Sequence, residues 1–292
     1  MALTPLFTEF KTITKARLAM SVVFSTLAGY MLAIDSWSDL DYKIILLAIG
    51  GYCMVGASNA FNQIIEKDTD LLMKRTANRP IAAGRVSKQQ AFALASLLTI
   101  AGIVILYIIS PKTAMFGAIS IFLYTSVYTP LKPITPLSVF VGAFPGAIPF
   151  MLGWVAHTNE FGIEAGTLFL IQFFWQFPHF WALGWFLHDD YQKGGFAMLP
   201  SGKKDKKTSM QIIMYTFWLI LVSIIPYFGV TGQLKLSLVA TILVFVSGLW
   251  MLWAAFQLHK TQTDNAARSL MLVSVTYISL IQILFVVDKF LR

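Results

Sequence analysis

The stretch IILLAIGGYCMVGASNAFNQII, residues 44–65, decides the fold class. It contains no charged side chain, and about 20 apolar residues are enough for a helix to cross a hydrocarbon core about 30 Å thick. It is followed directly by EKDTD, residues 66–70, in which every residue but one is charged. A membrane-spanning helix that ends in a polar cluster is therefore predicted here.

Similar stretches recur along the whole chain. Only 12% of its 292 residues are charged and 57% are hydrophobic, with a mean hydropathy of +0.69, whereas soluble domains carry about a quarter charged residues. No long linker or low-complexity tract interrupts the pattern, which predicts one domain over residues 1–292. The expected fold is an all-α membrane protein of about nine transmembrane helices, at residues 18–34, 44–65, 91–110, 113–129, 134–157, 165–188, 209–234, 236–259 and 269–287.

The positive charge is distributed unevenly between the two sides of these helices. All but five of the 22 Lys and Arg residues fall on the side of the N-terminus. Cytoplasmic loops are enriched in Lys and Arg, so the N-terminus and the two long loops are predicted to be cytoplasmic. The net charge of +8 is thereby explained without nucleic acid. The five on the opposite side are Lys43, Lys112, Lys235, Lys289 and Arg292.

Neither the cysteine content nor the N-terminal sequence indicates a secreted protein. The single cysteine, Cys53, excludes a disulfide framework and is interpreted as a small packing residue. The first twenty residues lack the short apolar segment and small-residue cleavage site of a removable signal peptide. The expected location is the cytoplasmic membrane, as a multi-pass protein.

Three oxygen-bearing residues follow helical spacing at the polar end of the second span. Asn62, Glu66 and Asp70 are each four residues apart, so a continued helix would place them on one face. Carboxylate and amide oxygens are ligands for Mg²⁺, which is typically bound by one or two carboxylates together with substrate phosphates. The spacing thus indicates a magnesium site at the cytoplasmic face.

A basic run follows the acidic one. Lys74, Arg75 and Arg79 come within ten residues of Asp70, and arginine can bind phosphate oxygens with two nitrogens at once. Together the two runs suit a metal–diphosphate site. The alternative is a solvated connecting loop of mixed charge. Asn62 argues against this interpretation, because burying an amide inside an apolar span is costly unless it has a partner.

Three motifs resemble the UbiA superfamily of intramembrane prenyltransferases. NQIIEKDTDLLMKRTANRPIAAGRVS, residues 62–87, resembles its first signature, Asn-x3-Asp-x3-Asp, with Glu66 at one Asp position. YTPLKPITPLSVFVGAFPGAIPFMLGW, residues 128–154, and WQFPHFWALGWFLHDDYQKGGFAMLP, residues 175–200, resemble two further signatures in the same order. The details are closest to the members that farnesylate haem.

The resemblance implies a specific reaction. Such members bind farnesyl diphosphate through Mg²⁺, release diphosphate, and join the farnesyl group to a vinyl group of protoheme IX, with addition of water, to give haem O. Haem A synthase or oxidase assembly factors would be its partners. A superfamily member acting on an aromatic, quinone-precursor or lipid acceptor is the nearest alternative, and a secondary transporter is a more distant one.

The resemblance also assigns roles to individual residues. It places Asn62, Glu66, Asp70 and Asp190 among the catalytic and metal-binding residues, and it implies that Arg75, Arg79, Tyr128 and Lys132 face the diphosphate. Lys74 in the basic run and Lys193 near Asp190 are expected to bind the diphosphate as well. The second signature of the superfamily, Asp-x3-Asp, is incomplete here, since Gly194 stands at its second position. A full second Mg²⁺ site is therefore in doubt, and Lys193 could supply a fixed charge instead.

One histidine lies inside the sixth predicted span. His179 follows Pro178, which removes a backbone hydrogen bond and kinks a helix. An ionisable residue within a membrane span is a functional candidate, and imidazole is a common haem ligand. Haem binding by His179 is one interpretation, and a hydrogen bond to the bundle at the kink is the other.

Overall fold

The computed structural model describes residues 3–292, and side chains from residue 7 onward. Residues 1 and 2 of the predicted single domain 1–292 lie outside the described residues. Within the described range the chain is helical and contains no strand. The helices are α1 Leu3–Ile13, α2 Ala16–Ala33, α3 Lys43–Ile65, α4 Lys67–Leu72, α5 Lys88–Ile109, α6 Pro111–Phe122, α7 Thr129–Leu131, α8 Leu137–Thr158, α9 Ile163–Phe186, α10 His188–Lys193, α11 Lys206–Ile224, α12 Leu238–Thr261 and α13 Asp264–Leu291.

Eight helical segments of the described chain are long and apolar enough to cross a membrane. They match eight of the nine predicted spans, and the all-α, multi-pass class is confirmed. The sixth predicted span is α9, a helix of 24 residues whose apolar character is diluted by Gln172, Gln176 and His179. Its crossing, and with it the total of nine, stays a prediction.

The seventh span was predicted too long. Helix α11 ends at Ile224 and continues only as a short 3₁₀ turn, Ile225–Phe228, instead of reaching residue 234. Pro226 lies in that turn and has no backbone N–H to donate. Gly229 then adopts φ = 72°, a left-handed conformation that glycine accepts without strain, so the helix stops here.

The helices surround one internal cavity, lined by α2, α3, α6, α8, α9 and α13. Helix α8 packs against both α2 and α9, and α13 closes the ring between α9 and α2. The crossing of α2 and α8 depends on two glycines: a Cβ atom on Gly153 would collide with the backbone of Thr26, and one on Gly29 with the Phe150 carbonyl. This close approach fixes the wall of the cavity.

The two long loops meet at the same end of the bundle. Asp190 on α10 accepts hydrogen bonds from the backbone after α4, and Glu9 on α1 pairs with Arg85 beyond that loop at 2.7 Å. The predicted sharing of one side by the N-terminal arm and both loops is thus confirmed. That this side is cytoplasmic stays a prediction from the charge distribution.

Candidate active site

Asn62, Glu66 and Asp70 share one face across the junction of α3 and α4. Glu66 interrupts the regular helix, but its N–H still bonds the Asn62 carbonyl (2.9 Å) and the Asp70 N–H bonds the Glu66 carbonyl (2.7 Å). The helical spacing therefore survives the junction. All three side chains are buried and line the cavity, as their spacing predicted.

Both carboxylates are paired with cations. Arg79 directs one nitrogen, Nη1, at both oxygens of Asp70, at 2.8 Å each, and the same nitrogen lies 3.8 Å from Glu66 Oε2. Lys132 Nζ donates to Glu66 Oε1 at 2.8 Å. Such pairing is needed because an isolated charge is expensive to bury.

The pairing also sets the protonation of the site. Burial raises the pKa of Asp70, and the adjacent Arg79 guanidinium works in the opposite direction. Burial tends to lower the pKa of Lys132, but the Glu66 carboxylate prevails and holds it above its usual value. Lys132 is therefore a fixed cation at neutral pH.

A π-helical turn, Leu123–Tyr128, brings Tyr128 and Lys132 to this site. Thr129 Oγ1 donates to the carbonyl five residues back (2.8 Å) and accepts from the Asn62 amide (3.4 Å). Lys132 Nζ lies 4.5 Å from the centre of the Tyr128 ring. A Cβ atom on Gly142 would come within 2.7 Å of that ring, so the glycine provides its space. Turns of this kind are frequent at functional sites.

The cavity has a volume of about 760 Å³ and combines one charged end with a largely apolar interior. We call the charged end the polar mouth; it comprises Lys15, Asn62, Glu66, Asp70, Arg75, Arg79, Tyr128 and Lys132. His179 lines the cavity away from the mouth, on α9. The structure thus brings most of the predicted site residues to one cavity.

Three predicted residues do not line the cavity. Asp190 accepts hydrogen bonds from the backbone N–H groups of Lys74 (2.8 Å) and Arg75 (3.3 Å). The side chains of Lys74 and Lys193 are exposed. Asp190 therefore holds the loop that carries Arg75 and Arg79, and this contact had not been predicted.

The glycine at the incomplete second signature has a packing reason. A Cβ atom on Gly194 would lie 2.9 Å from the sulfur of Met73, which is buried at the end of α4. A second carboxylate has no room here while Met73 keeps its place. The sequence departure and the docking of α10 against the α4 loop are therefore linked.

Lys15 also belongs to the site, although its position in the sequence does not predict this. It lies between α1 and α2 with φ = 47°, and its side chain lines the polar mouth. Burial, assisted by the charges of Arg79 and Lys132, lowers its pKa to about 7. A lone lysine near the N-terminus gives no sequence signal for this position, because the backbone turn that aims it cannot be read from spacing.

The donor set of the mouth is compatible with Mg²⁺ but does not complete a site alone. Among the described residues no group of three or more His, Cys, Asp or Glu side chains could hold a metal. Asn62, Glu66 and Asp70 offer one amide and two carboxylates on one face, and Mg²⁺ commonly completes such a set with water and substrate phosphates. The residues present therefore fit a metal that arrives with a diphosphate.

These features define an intramembrane prenyltransferase, and the chain belongs to the UbiA prenyltransferase family, whose model matches residues 22–280. It is 68% identical to the protoheme IX farnesyltransferase of Flavobacterium psychrophilum, over 98% of this chain and 96% of that protein. It is 66% identical to the protoheme IX farnesyltransferase of Flavobacterium johnsoniae, over 100% and 98%.

A solved structure shares the fold at low sequence identity. A UbiA homologue from Archaeoglobus fulgidus, solved with GPP and Mg²⁺, superposes with a TM-score of 0.70 at 12% identity, over 97% of this chain and 98% of that one. The likeness confirms the UbiA-type bundle predicted from the sequence motifs.

Proposed function

We propose that this protein transfers the farnesyl group of farnesyl diphosphate to a vinyl group of protoheme IX, with addition of water, and releases diphosphate to give haem O. The observation that carries the proposal is the paired acid–base cluster at the mouth of an apolar cavity. The near full-length similarity to protoheme IX farnesyltransferases supports farnesyl and haem as the substrates.

The charge balance of the polar mouth suits a diphosphate. Glu66 and Asp70 are outnumbered by cations, since Arg75, Arg79 and Lys132 line the same end, with Lys15 beside them. Negative charge develops on the diphosphate as its bond to carbon breaks. Fixed cations aimed at that group stabilise the transition state more than the ground state, which is the requirement for catalysis.

We assign Mg²⁺ binding to Asn62, Glu66 and Asp70. The metal, when bound, supplies Lewis-acid stabilisation of the diphosphate oxygens. Arg79 and Lys132 neutralise the two carboxylates in its absence. Arg79 can keep its Nη1 contact with Asp70 and still offer its other two nitrogens to phosphate. Asp190 contributes by holding the loop of Arg75 and Arg79 in place, and Lys74 and Lys193 form an outer cationic rim.

The reaction proceeds in three bond changes. The bond between farnesyl C1 and the diphosphate oxygen breaks, and its electron pair leaves with diphosphate. The vinyl group of the haem then adds to C1, which leaves positive charge on the carbon next to the porphyrin. Water adds to that carbon and loses a proton, giving the hydroxyl. Aromatic faces such as Tyr128 and Phe180 can stabilise the cations, while the apolar walls keep water away until the vinyl group has added to C1.

The setting of the reaction is the cytoplasmic membrane. The charged loops carry most of the Lys and Arg residues, so we place the polar mouth at the cytoplasmic face. The lipid bilayer surrounds the bundle, and haem A synthase or oxidase assembly factors are candidate partners. His179 is assigned to the haem.

The test is product formation by the purified protein. With Mg²⁺, haem and farnesyl diphosphate in lipid nanodiscs, we expect a farnesylated, hydroxylated haem by mass spectrometry and one diphosphate released per haem consumed. Release of diphosphate with farnesylation of a quinone precursor, but not of haem, would overturn the acceptor assignment. Solute transport without any diphosphate release would overturn the enzyme assignment.

The lowered pKa of Lys15 leads to a pH prediction. With a pKa of about 7 in the free protein, Lys15 is largely neutral above that pH, and binding of the diphosphate anion must restore its proton. Affinity for farnesyl diphosphate is therefore expected to fall as pH rises above about 7, by up to tenfold per pH unit for one proton taken up. Dissociation constants measured from pH 6.5 to 9 would show the slope.

Lys15→Arg is the matched variant, because arginine stays protonated over this range. The neighbouring groups Arg75, Arg79, Lys132 and Glu66 are unchanged in it, as is the titration of the diphosphate itself. The slope should be shallower in Lys15→Arg. Equal slopes in both proteins would rule out Lys15 as the titrating group.

A further inference from the structure

His179 lies in the cavity wall below the polar mouth. It is seven residues from the end of α9 at Phe186, about 10 Å of helix rise. Its side chain lines the cavity together with Trp175 and Phe180. None of the contacts that build the polar mouth involves this residue, so its role must come from its own surroundings.

The hydrogen bonds around His179 fix which nitrogen carries the proton. Ser274 Oγ donates its only hydrogen to the Met271 carbonyl at 2.6 Å. It lies 2.8 Å from His179 Nδ1, and it can therefore only accept in that contact. Nδ1 must be the protonated nitrogen, and the lone pair of the neutral ring is on Nε2.

The ring is also held in orientation. Trp175 stacks on it with the ring centres 4.7 Å apart and the planes 17° apart, and the Trp175 indole N–H donates to the Ser274 carbonyl at 2.6 Å. Ser274 thus holds both rings by hydrogen bonds, His179 through its side chain and Trp175 through its backbone carbonyl. The Met271 backbone is a further hydrogen-bond partner of the ring. Among the described residues, the ring's hydrogen bond within 3.5 Å is the one at Nδ1.

We infer that His179 binds the iron of the haem substrate through Nε2, and that Ser274 is the positioning residue that presents this nitrogen. The inference rests on the proposed function and adds to it the atom that holds the acceptor. Neutral imidazole is a common ligand of haem iron. Ligating histidines characteristically donate their other N–H to an oxygen acceptor, which is the arrangement found here.

The position of His179 suits the geometry of the transfer. Farnesyl C1 carries the diphosphate and so must lie just inside the polar mouth. The vinyl groups are at the rim of the porphyrin, several bond lengths from the iron. If the iron is bound at His179, about 10 Å of helix rise from the end of α9, the porphyrin edge with its vinyl groups can still reach farnesyl C1. A purely structural histidine would need only the Nδ1 contact and would have no need to line the cavity.

The test is the optical and EPR spectrum of haem bound to the purified protein without farnesyl diphosphate. We expect an imidazole-ligated spectrum in the wild type, its loss in His179→Gly, and its return when free imidazole is added to that variant. His259→Gly is the matched control, because His259 Nδ1 also contacts a serine hydroxyl, Ser209, at 2.9 Å, but outside the cavity. It should bind haem like the wild type.

Ser274 provides the second variant. Ser274→Ala should weaken haem binding by roughly tenfold or more while keeping the ligation spectrum, and Ser274→Thr should restore most of the affinity. Identical haem spectra in the wild type and His179→Gly, in protein that still makes farnesylated haem, would overturn the inference and leave the proposed function standing. An imidazole-ligated spectrum in protein that makes no farnesylated haem would overturn the function instead.

Discussion

Asp70→Asn is expected to lower kcat by at least about 100-fold, the loss typical when one preorganised group that stabilises transition-state charge is removed. Asp70 is fully buried and holds Arg79 through both oxygens. Asparagine keeps the shape but loses the charge, and its NH2 group replaces one of the two oxygens, so the metal ligand and the anchor for the arginine are weakened together. Both effects act on the leaving diphosphate, and steady-state kinetics of diphosphate release would measure them in kcat.

Asp68→Asn is the matched control. Asp68 lies two residues away on the same short helix, but its side chain is 84% exposed. Its ion pair with Lys88 is a long contact of 4.0 Å. Exposed pairs of this kind contribute little, so activity should stay within about twofold of the wild type. A folded Asp70→Asn protein with near-normal kcat would contradict the metal-site assignment.

Folding must be measured alongside activity. Removing one partner of a buried ion pair can cost about 3–5 kcal/mol, and Asp70→Asn leaves Arg79 with only the more distant Glu66. Asn62→Ala avoids this difficulty because it leaves no charge unpaired, and it should also abolish turnover. Melting temperature and gel-filtration profile in detergent would show that both proteins remain folded.

The acidic face could be predicted because it is a local feature. Asn62, Glu66 and Asp70 belong to one continuous run of helix, where spacing alone fixes the direction of a side chain. The same holds for the apolar spans, whose length follows from bilayer thickness. These predictions required no knowledge of how the helices assemble.

The partners of that face could not be predicted from spacing. Lys132 is 66 residues from Glu66 in sequence, and a π-helical turn is needed to direct it inward. Lys15 arrives through a left-handed backbone turn. Asp190 was predicted at the metal because the motif suggested it, yet its carboxylate holds the backbone at Lys74. Each contact depends on the packing of helices that are distant in sequence.

Helix α9 shows why one span was harder to establish. Its polar residues lie against the neighbouring helices α13 and α8: Gln282 on α13 donates to Gln172 at 3.1 Å, and Gln176 donates to the Ala143 carbonyl of α8 at 2.8 Å. Mean hydropathy averages over all faces of a helix, so polar residues lower it even where they face other helices and not lipid. The features that make α9 a poor span by composition are those that form the cavity wall.

Arg79→Lys is expected to lower kcat by roughly 100-fold, although the charge is kept. Arg79 satisfies both Asp70 oxygens with Nη1 alone, and no described residue accepts a hydrogen bond from its Nε or Nη2. Those two nitrogens remain for phosphate oxygens. Lysine has a single nitrogen on a flexible stem, so it must either stay with Asp70 or turn to the diphosphate. Kinetics of diphosphate release would measure the loss.

Arg85→Lys is the corresponding control. Arg85 pairs with Glu9 at 2.7 Å, but its side chain is 44% exposed and lies outside the cavity. The same chemical change there should leave kcat within about twofold, because exposed ion pairs contribute little. Equal activity in Arg79→Lys and Arg85→Lys would mean that the mouth needs only positive charge. A large loss confined to Arg79→Lys would mean that one guanidinium must serve carboxylate and phosphate at once.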